Sequence, residues 1–227
     1  LIKLLDANQV LSVQVHPDDA ACRKYPGARL KTECWYVLAA EPDAVIYKGL
    51  KKNILEDDVR QALLNGNLAD LMEVYKVRKG DFHYLPAGTI HALGAGVMVA
   101  EIQTPSDTTY RLYDWGRVDA QGKTRTLHIE EALDSIHYTH TPPTGTPPTG
   151  EKTVNDKLFN DRCLEKITMQ LGKTRLLLDC EYFSVTHLDI ENKEQREFIC
   201  ACPIVMMILS GNGTISCGKS HKNPVQY

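Results

Sequence analysis

The chain has 227 residues, 43% hydrophobic and 24% charged, which is enough apolar material for one large core or two smaller ones. A formal net charge of −3 without a dense Lys/Arg stripe argues against a nucleic-acid partner. The longest apolar run, Phe198 to Leu209, is broken by Pro203 and falls far short of the roughly 20 residues that span a bilayer, so no membrane partner is expected either.

In chain order the pattern is mostly that of strands. Leu1 to Leu5 already reads as core material. Leu11, Val13 and Val15 alternate with Ser12, Gln14 and His16, giving a strand with one apolar and one polar face. Aromatic and branched residues predict further strands over Thr32 to Leu38 and Val45 to Tyr47. Between residues 53 and 72 the period changes to that of a helix. Asn53 followed by Glu56 resembles a capping box, Val59, Ala62 and Leu63 share a face, and Gly66 is a stop. A second short helix is expected over Leu68 to Met72. Strands resume at Glu73 to Val77 and across residues 97 to 113, and Ile129 to Ile136 reads as a helix.

Thr141-Pro142-Pro143-Thr144-Gly145 is then repeated directly as Thr146 to Gly150. Prolines without amide donors suit a linker, so a boundary is placed at 141–152, between a domain over 1–140 and a partial one over 153–227. Strand-like runs follow at Arg175 to Leu178, Tyr182 to Leu188, Phe198 to Cys202 and Val205 to Leu209. The seven cysteines are odd in number and scattered, which predicts free thiols in a reducing cytoplasm. With no initiator Met, and a Gly211-Asn212-Gly213 turn that should open another hairpin, further chain is expected at both ends.

Four stretches carry chemistry. Gln14 and His16 are two apart, as are Lys31 and Glu33, so on strands each pair shares a face. Gly80-x5-Pro86-x-Gly88-x2-His91 matches the second metal motif of the cupin superfamily. It combines a tight turn, a bend in which glycine permits positive φ, and an inward imidazole. Two His, one carboxylate and one amide oxygen form a ligand set suited to catalytic Zn²⁺ or Fe²⁺. In the block from Glu101 to Arg117, an extended chain would put Asp107, Thr109, Arg111 and Tyr113 on one face, with Arg111 suited to an anion.

That block, together with Leu11-Ser12-Val13-Gln14-Val15-His16-Pro17 and Lys31-Thr32-Glu33-Cys34-Trp35-Tyr36, resembles the mannose-6-phosphate isomerase family. The resemblance is close over residues 1 to about 138 and weaker after the linker. It implies a mainly β fold: cupin-like double-stranded β-helix barrels, the first with a helical insertion at about 53–72, the second incomplete. It implies one Zn²⁺ per chain on Gln14, His16, Glu33 and His91, a catalytic Arg111, and substrate contacts from Lys31, Asp107 and Arg117. The implied reaction interconverts mannose 6-phosphate and fructose 6-phosphate through a cis-enediol. The base stays open among Glu101, Asp107, Lys31, His83 and a metal-bound water. A non-catalytic sugar- or metal-binding cupin module is the alternative, and an Fe²⁺ oxygenase a third reading. Nothing in the sequence sets an oligomeric state.

Overall fold

The computed structural model describes residues 1–138, 174–190, 203–215 and 225–226. The chain divides into two compact units, residues 1–152 with 176–187, and residues 153–175 with 188–227. The expected linker at 141–152 lies outside the described residues, and the stretch Leu176–His187 groups with the first unit.

The first unit is mainly β. Its strands are β1 (Ile2–Ala7), β2 (Val13–Val15), β3 (Glu33–Ala40), β4 (Val45–Leu50), β5 (Met72–Lys76), β6 (Phe82–Leu85), β7 (His91–Leu93), β8 (Val97–Gln103) and β9 (Tyr110–Tyr113). Its helices are α1 (Asp19–Lys24), α2 (Glu56–Asn65) and α3 (Ile129–Ser135), with a 3-10 turn at Leu68–Leu71. The strands form a four-stranded sheet, β1-β8-β3-β6, and a five-stranded sheet, β5-β4-β7-β2-β9. The neighbouring strands of these two sheets run antiparallel. Jelly-roll strand order is present, but among the described residues β5, β9, β1 and β6 remain edge strands and neither sheet closes into a barrel.

Alternation sets what each face does. Trp35, Val37, Leu85 and Val99 of the first sheet meet Ile46 and Leu93 of the second in one buried cluster. On the other side of the second sheet, Val13, Val15, Ala92 and Leu112 bury against Val59 and Ala62 of α2 and Ala132 and Leu133 of α3. On the other side of the first sheet, Cys34 and Phe82 bury against Leu177 and Leu178. Those two leucines belong to β10 (Thr174–Asp179), which pairs with β11 (Ser184–Leu188). Each fully buried Val, Leu or Ile here contributes about 1.5–3 kcal/mol. What remains between the two sheets, at one end, is polar.

Several local expectations change. The N-cap of α2 is Leu55, whose N–H donates to Asp58 Oδ2 at 2.9 Å, so Asp58 and not Glu56 closes the first turn. Asn53 instead takes a left-handed turn (φ 62°) ahead of the helix. Gly66 ends α2 as expected, at φ 71°. The extended run expected over 97–113 breaks at 104–109, where Pro105 offers no donor to a ladder. Asp107 and Thr109 therefore do not lie on a strand with Arg111. In the second unit, β12 (Thr214–Ile215) pairs with β13 (Val225–Gln226), and the strand expected over Val205 to Leu209 is not formed. These residues are exposed coil, a sign that hydrophobicity without a strand partner is not enough. The run expected over Phe198 to Cys202 lies outside the described residues.

Candidate metal centre

Three strands and one loop deliver the polar cluster. In the second sheet, Gln14 lies opposite both His91 and Arg111, and His91 lies opposite Lys48. Directly opposed residues of an antiparallel pair point to the same side, so Arg111, Gln14, His91 and Lys48 form one row across β9, β2, β7 and β4. In the first sheet, Glu33 lies opposite Gln103, and Trp35 opposite Glu101 and His83. His16 follows β2 directly. Gly88 turns the chain at φ +85° after Pro86 and its N–H donates to His16 O at 2.9 Å, which ties the two histidine-bearing segments together.

His16, Glu33 and His91 are each at most 1% exposed, and one donor atom from each lies within 4.8 Å of the others. His16 Nε2 is 3.3 Å from Glu33 Oε2, and His91 Nε2 is 3.3 Å from Glu33 Oε1. The other ring nitrogens decide the tautomers. His16 Nδ1 is 3.0 Å from Thr108 O and His91 Nδ1 is 2.8 Å from Thr89 O. A carbonyl only accepts, so both Nδ1 atoms carry the proton, and in a neutral ring Nε2 is left with its lone pair. Burial pushes His16 down to about 4, against the pull of Glu33, so it is neutral at pH 7. Burial alone would raise Glu33. When protonated, the His16 and His91 rings outweigh that by charge and hydrogen bonding and hold the carboxyl well below its usual range.

The result is two lone pairs and a carboxylate aimed at one another. Among the described residues, Glu33 Oε1 is buried without a hydrogen-bond partner. Such an arrangement is repulsive unless a cation lies among the acceptors. Part of that charge is supplied by Lys31, 3% exposed, whose Nζ contacts Glu33 Oε2 and donates to His16 Nε2 at 2.9 Å. Gln14 Nε2 is 3.3 Å from His91 Nε2, and a rotated amide would present its oxygen there instead. The donors thus fit a divalent metal ion: two imidazoles with fixed tautomers, one carboxylate and one amide, with no thiolate.

Around the cluster the charges are organised. Glu101 accepts from Trp35 Nε1 at 3.2 Å and lies 3.4 Å from Lys3 Nζ and 3.9 Å from Lys31 Nζ. Lys3 also donates to Gln103 Oε1 at 2.6 Å. The Trp35 ring meets His91 edge-on, with centroids 5.3 Å apart.

The other residues singled out by sequence lie at the end of that row or outside the cluster. Arg111 shares the row with Gln14, but its guanidinium donates to Ser12 Oγ at 3.3 Å and Thr126 O at 2.9 Å. Arg117 donates to Val10 O and Asp114, and with Arg125 holds Asp114 below the usual carboxylate range. Asp107 is exposed, one residue from the carbonyl that fixes His16. Lys3 and Lys48 were not singled out by sequence. Each sits two positions from an inward apolar residue of its own strand, Leu5 and Ile46, and that spacing was the available signal.

No family model matches the chain. Curated relatives do. The chain is 37% identical over 218 residues to the mannose-6-phosphate isomerase of Streptococcus mutans, covering 96% of this chain and 63% of that protein. It is 35% identical over 224 residues to the mannose-6-phosphate isomerase ManA of Bacillus subtilis, covering 96% of this chain and 64% of that one. The chain therefore spans somewhat less than two thirds of the length of these relatives. A crystal structure of the Bacillus subtilis mannose 6-phosphate isomerase superposes with a TM-score of 0.68 at 32% identity, covering 84% of this chain and 55% of that one. In sequence and in cupin fold, this chain is a relative of the mannose-6-phosphate isomerases.

Proposed function

We propose that this chain carries the metal centre of an aldose–ketose isomerase that interconverts mannose 6-phosphate and fructose 6-phosphate. The observation that supports this most is the convergence of two carbonyl-tethered imidazoles on a buried carboxylate whose Oε1 has no partner. The relatives' names supply the substrate.

His16, Glu33 and His91 would hold one Zn²⁺, with Gln14 as fourth ligand. When bound, the ion supplies Lewis acidity at the sugar oxygens. The reaction moves a proton between C2 and C1 through a cis-enediol, and the chain's own groups must carry it. Lys31 and Glu101, 3.9 Å apart and both 3% exposed, are the acid–base candidates next to the donors. Asp107 is exposed, and in this reading it takes no part in the buried proton path. Arg111 holds a fixed positive charge at the end of the ligand row and stabilises negative charge developing on the sugar. Arg117 positions the loop that carries Asp114.

The test couples fructose 6-phosphate formation to a chromogenic reaction and measures metal content alongside. Full turnover with one zinc per chain, and loss of both in His91→Ala, is the expected result. A His91→Ala protein that keeps its zinc and activity would remove the assignment. A protein that binds zinc without turnover is a binding module instead.

A further inference from the structure

The row that contains His91 does not end there. Lys48 on β4 lies opposite His91 on β7, so the two side chains enter the same gap with their Cα atoms about 5 Å apart. On the facing sheet His83 lies opposite Trp35, the residue whose ring packs on His91. Lys48 and His83 are thus the next polar residues beyond the donors, one strand further on each sheet. They are close enough for the charge of Lys48 to act on His83.

Neither is fully compensated, and the one acidic group that acts on His83, Asp81, does so through its charge alone. Lys48 is partly buried and, among the described residues, has no acidic partner; burial alone sets its state. Among the described residues, His83 Nε2 is buried with no hydrogen-bond partner, and its ring lies beside that of Tyr75, with centroids 6.2 Å apart. Burying a cation beside an unsatisfied imidazole nitrogen is costly unless an anion satisfies both. The other cations around the cluster already have partners. Lys3 is on Gln103 and Glu101, Lys31 on Glu33, Arg111 on Ser12 and Thr126, and Arg117 and Arg125 are on Asp114.

We propose that Lys48 and His83 form the anion subsite, receiving the phosphoryl group of a sugar phosphate whose other end reaches His16, Glu33 and His91. A six-carbon sugar carries its phosphate far from C1 and C2, and a separation of one strand, about 5 Å, plus the reach of two side chains matches that length. A neutral His83 donates Nε2–H to a phosphate oxygen while Lys48 supplies the charge. Burial and the Lys48 charge push His83 down to about 4, which keeps it in that neutral form. The inference rests on the sugar-phosphate reading for the identity of the anion, whereas the subsite itself requires only a small oxyanion.

The experiment is calorimetric titration of the whole chain with inorganic phosphate, fructose 6-phosphate and fructose. It compares wild type, Lys48→Met, Lys48→Arg and His83→Phe, with metal content measured in each. A charge-assisted hydrogen bond contributes roughly 1.5–3 kcal/mol, so Lys48→Met should weaken both phosphate ligands about 10-fold to 100-fold. Fructose binding and metal content should stay at wild-type level. His83→Phe should weaken the same two ligands less, and Lys48→Arg should retain most of the affinity. The proposal is overturned if wild type binds neither phosphate ligand, or if Lys48→Met binds them as wild type does. It also fails if Lys48→Met loses metal together with phosphate, since Lys48 would then merely support His91. Lys48-dependent phosphate binding without turnover of mannose 6-phosphate would defeat the isomerase reading and leave the subsite standing.

Discussion

Replacing Lys31 by Met tests whether its ammonium and a metal ion serve the same carboxylate. The Lys31 side chain is 4% exposed and that of Glu33 fully buried, so their contact is shielded from solvent. Removing one partner of a buried ion pair costs about 3–5 kcal/mol, because the other charge is left uncompensated. Met fills nearly the same volume, so packing adds little. In the chelator-treated protein a loss of 3 kcal/mol lowers the melting temperature by roughly 6–12 °C for a chain of this size. A metal ion at saturating concentration supplies the missing charge to Glu33, and at 100 times its Kd adds about 2.7 kcal/mol to any protein that binds it only when folded. Without the competing ammonium the variant should bind more tightly than wild type and gain more than that. The melting-temperature gap should therefore shrink by at least half between chelator and excess Zn²⁺, read by circular dichroism on both proteins. An equal gap in the two conditions would show that Lys31 and the metal do not share Glu33.

Stability should also fall with acid before the carboxylates titrate. His16 is held at about 4 against a usual 6.5, so unfolding takes up a proton below pH 6.5 and stability is lost as pH falls through that window. At pH 5 this amounts to roughly 2 kcal/mol from His16 alone, with His83, held at about 4, acting in the same direction. Urea melts of metal-free protein at pH 7, 6 and 5 measure it, and a flat profile would contradict the neutral tautomers. Gly94→Ala should destabilise by more than 2 kcal/mol or prevent soluble expression, because a Cβ there would lie 1.9 Å from Val45 O, and backbone cannot yield as a side-chain tip can. A wild-type melt for that variant would mean that β4 and β7 separate more easily than their register implies.

The convergence of His16, Glu33 and His91 was legible because strands alternate and because the Gly80-to-His91 spacing encodes a turn, a bend and an inward ring within one short stretch. Glu33, Trp35 and Val37 share a face by simple period two, and the core bears this out. What could not be read was anything that depends on a partner far along the chain. Arg111 reads as a free anion binder until Thr126 O and Ser12 Oγ are brought to it. Lys31 reads as a surface ion-pair residue until His16, 15 positions earlier, is folded onto its Nζ. Lys48 is masked for the opposite reason. A lysine in a short strand ordinarily marks the solvent face, and only its pairing with His91 shows that it points inward.

Both imidazoles are steered by main-chain oxygens, those of Thr89 and Thr108. A carbonyl is supplied by every amino acid, so this part of the centre is immune to side-chain exchange. A saturation library should therefore show sharp intolerance at positions 16, 33 and 91 beside permissive columns at 89 and 108, although the latter two residues set the protonation of the candidate metal ligands. Such a map would hide half of the apparatus, and only insertions, deletions or shifts of the backbone itself would reveal it.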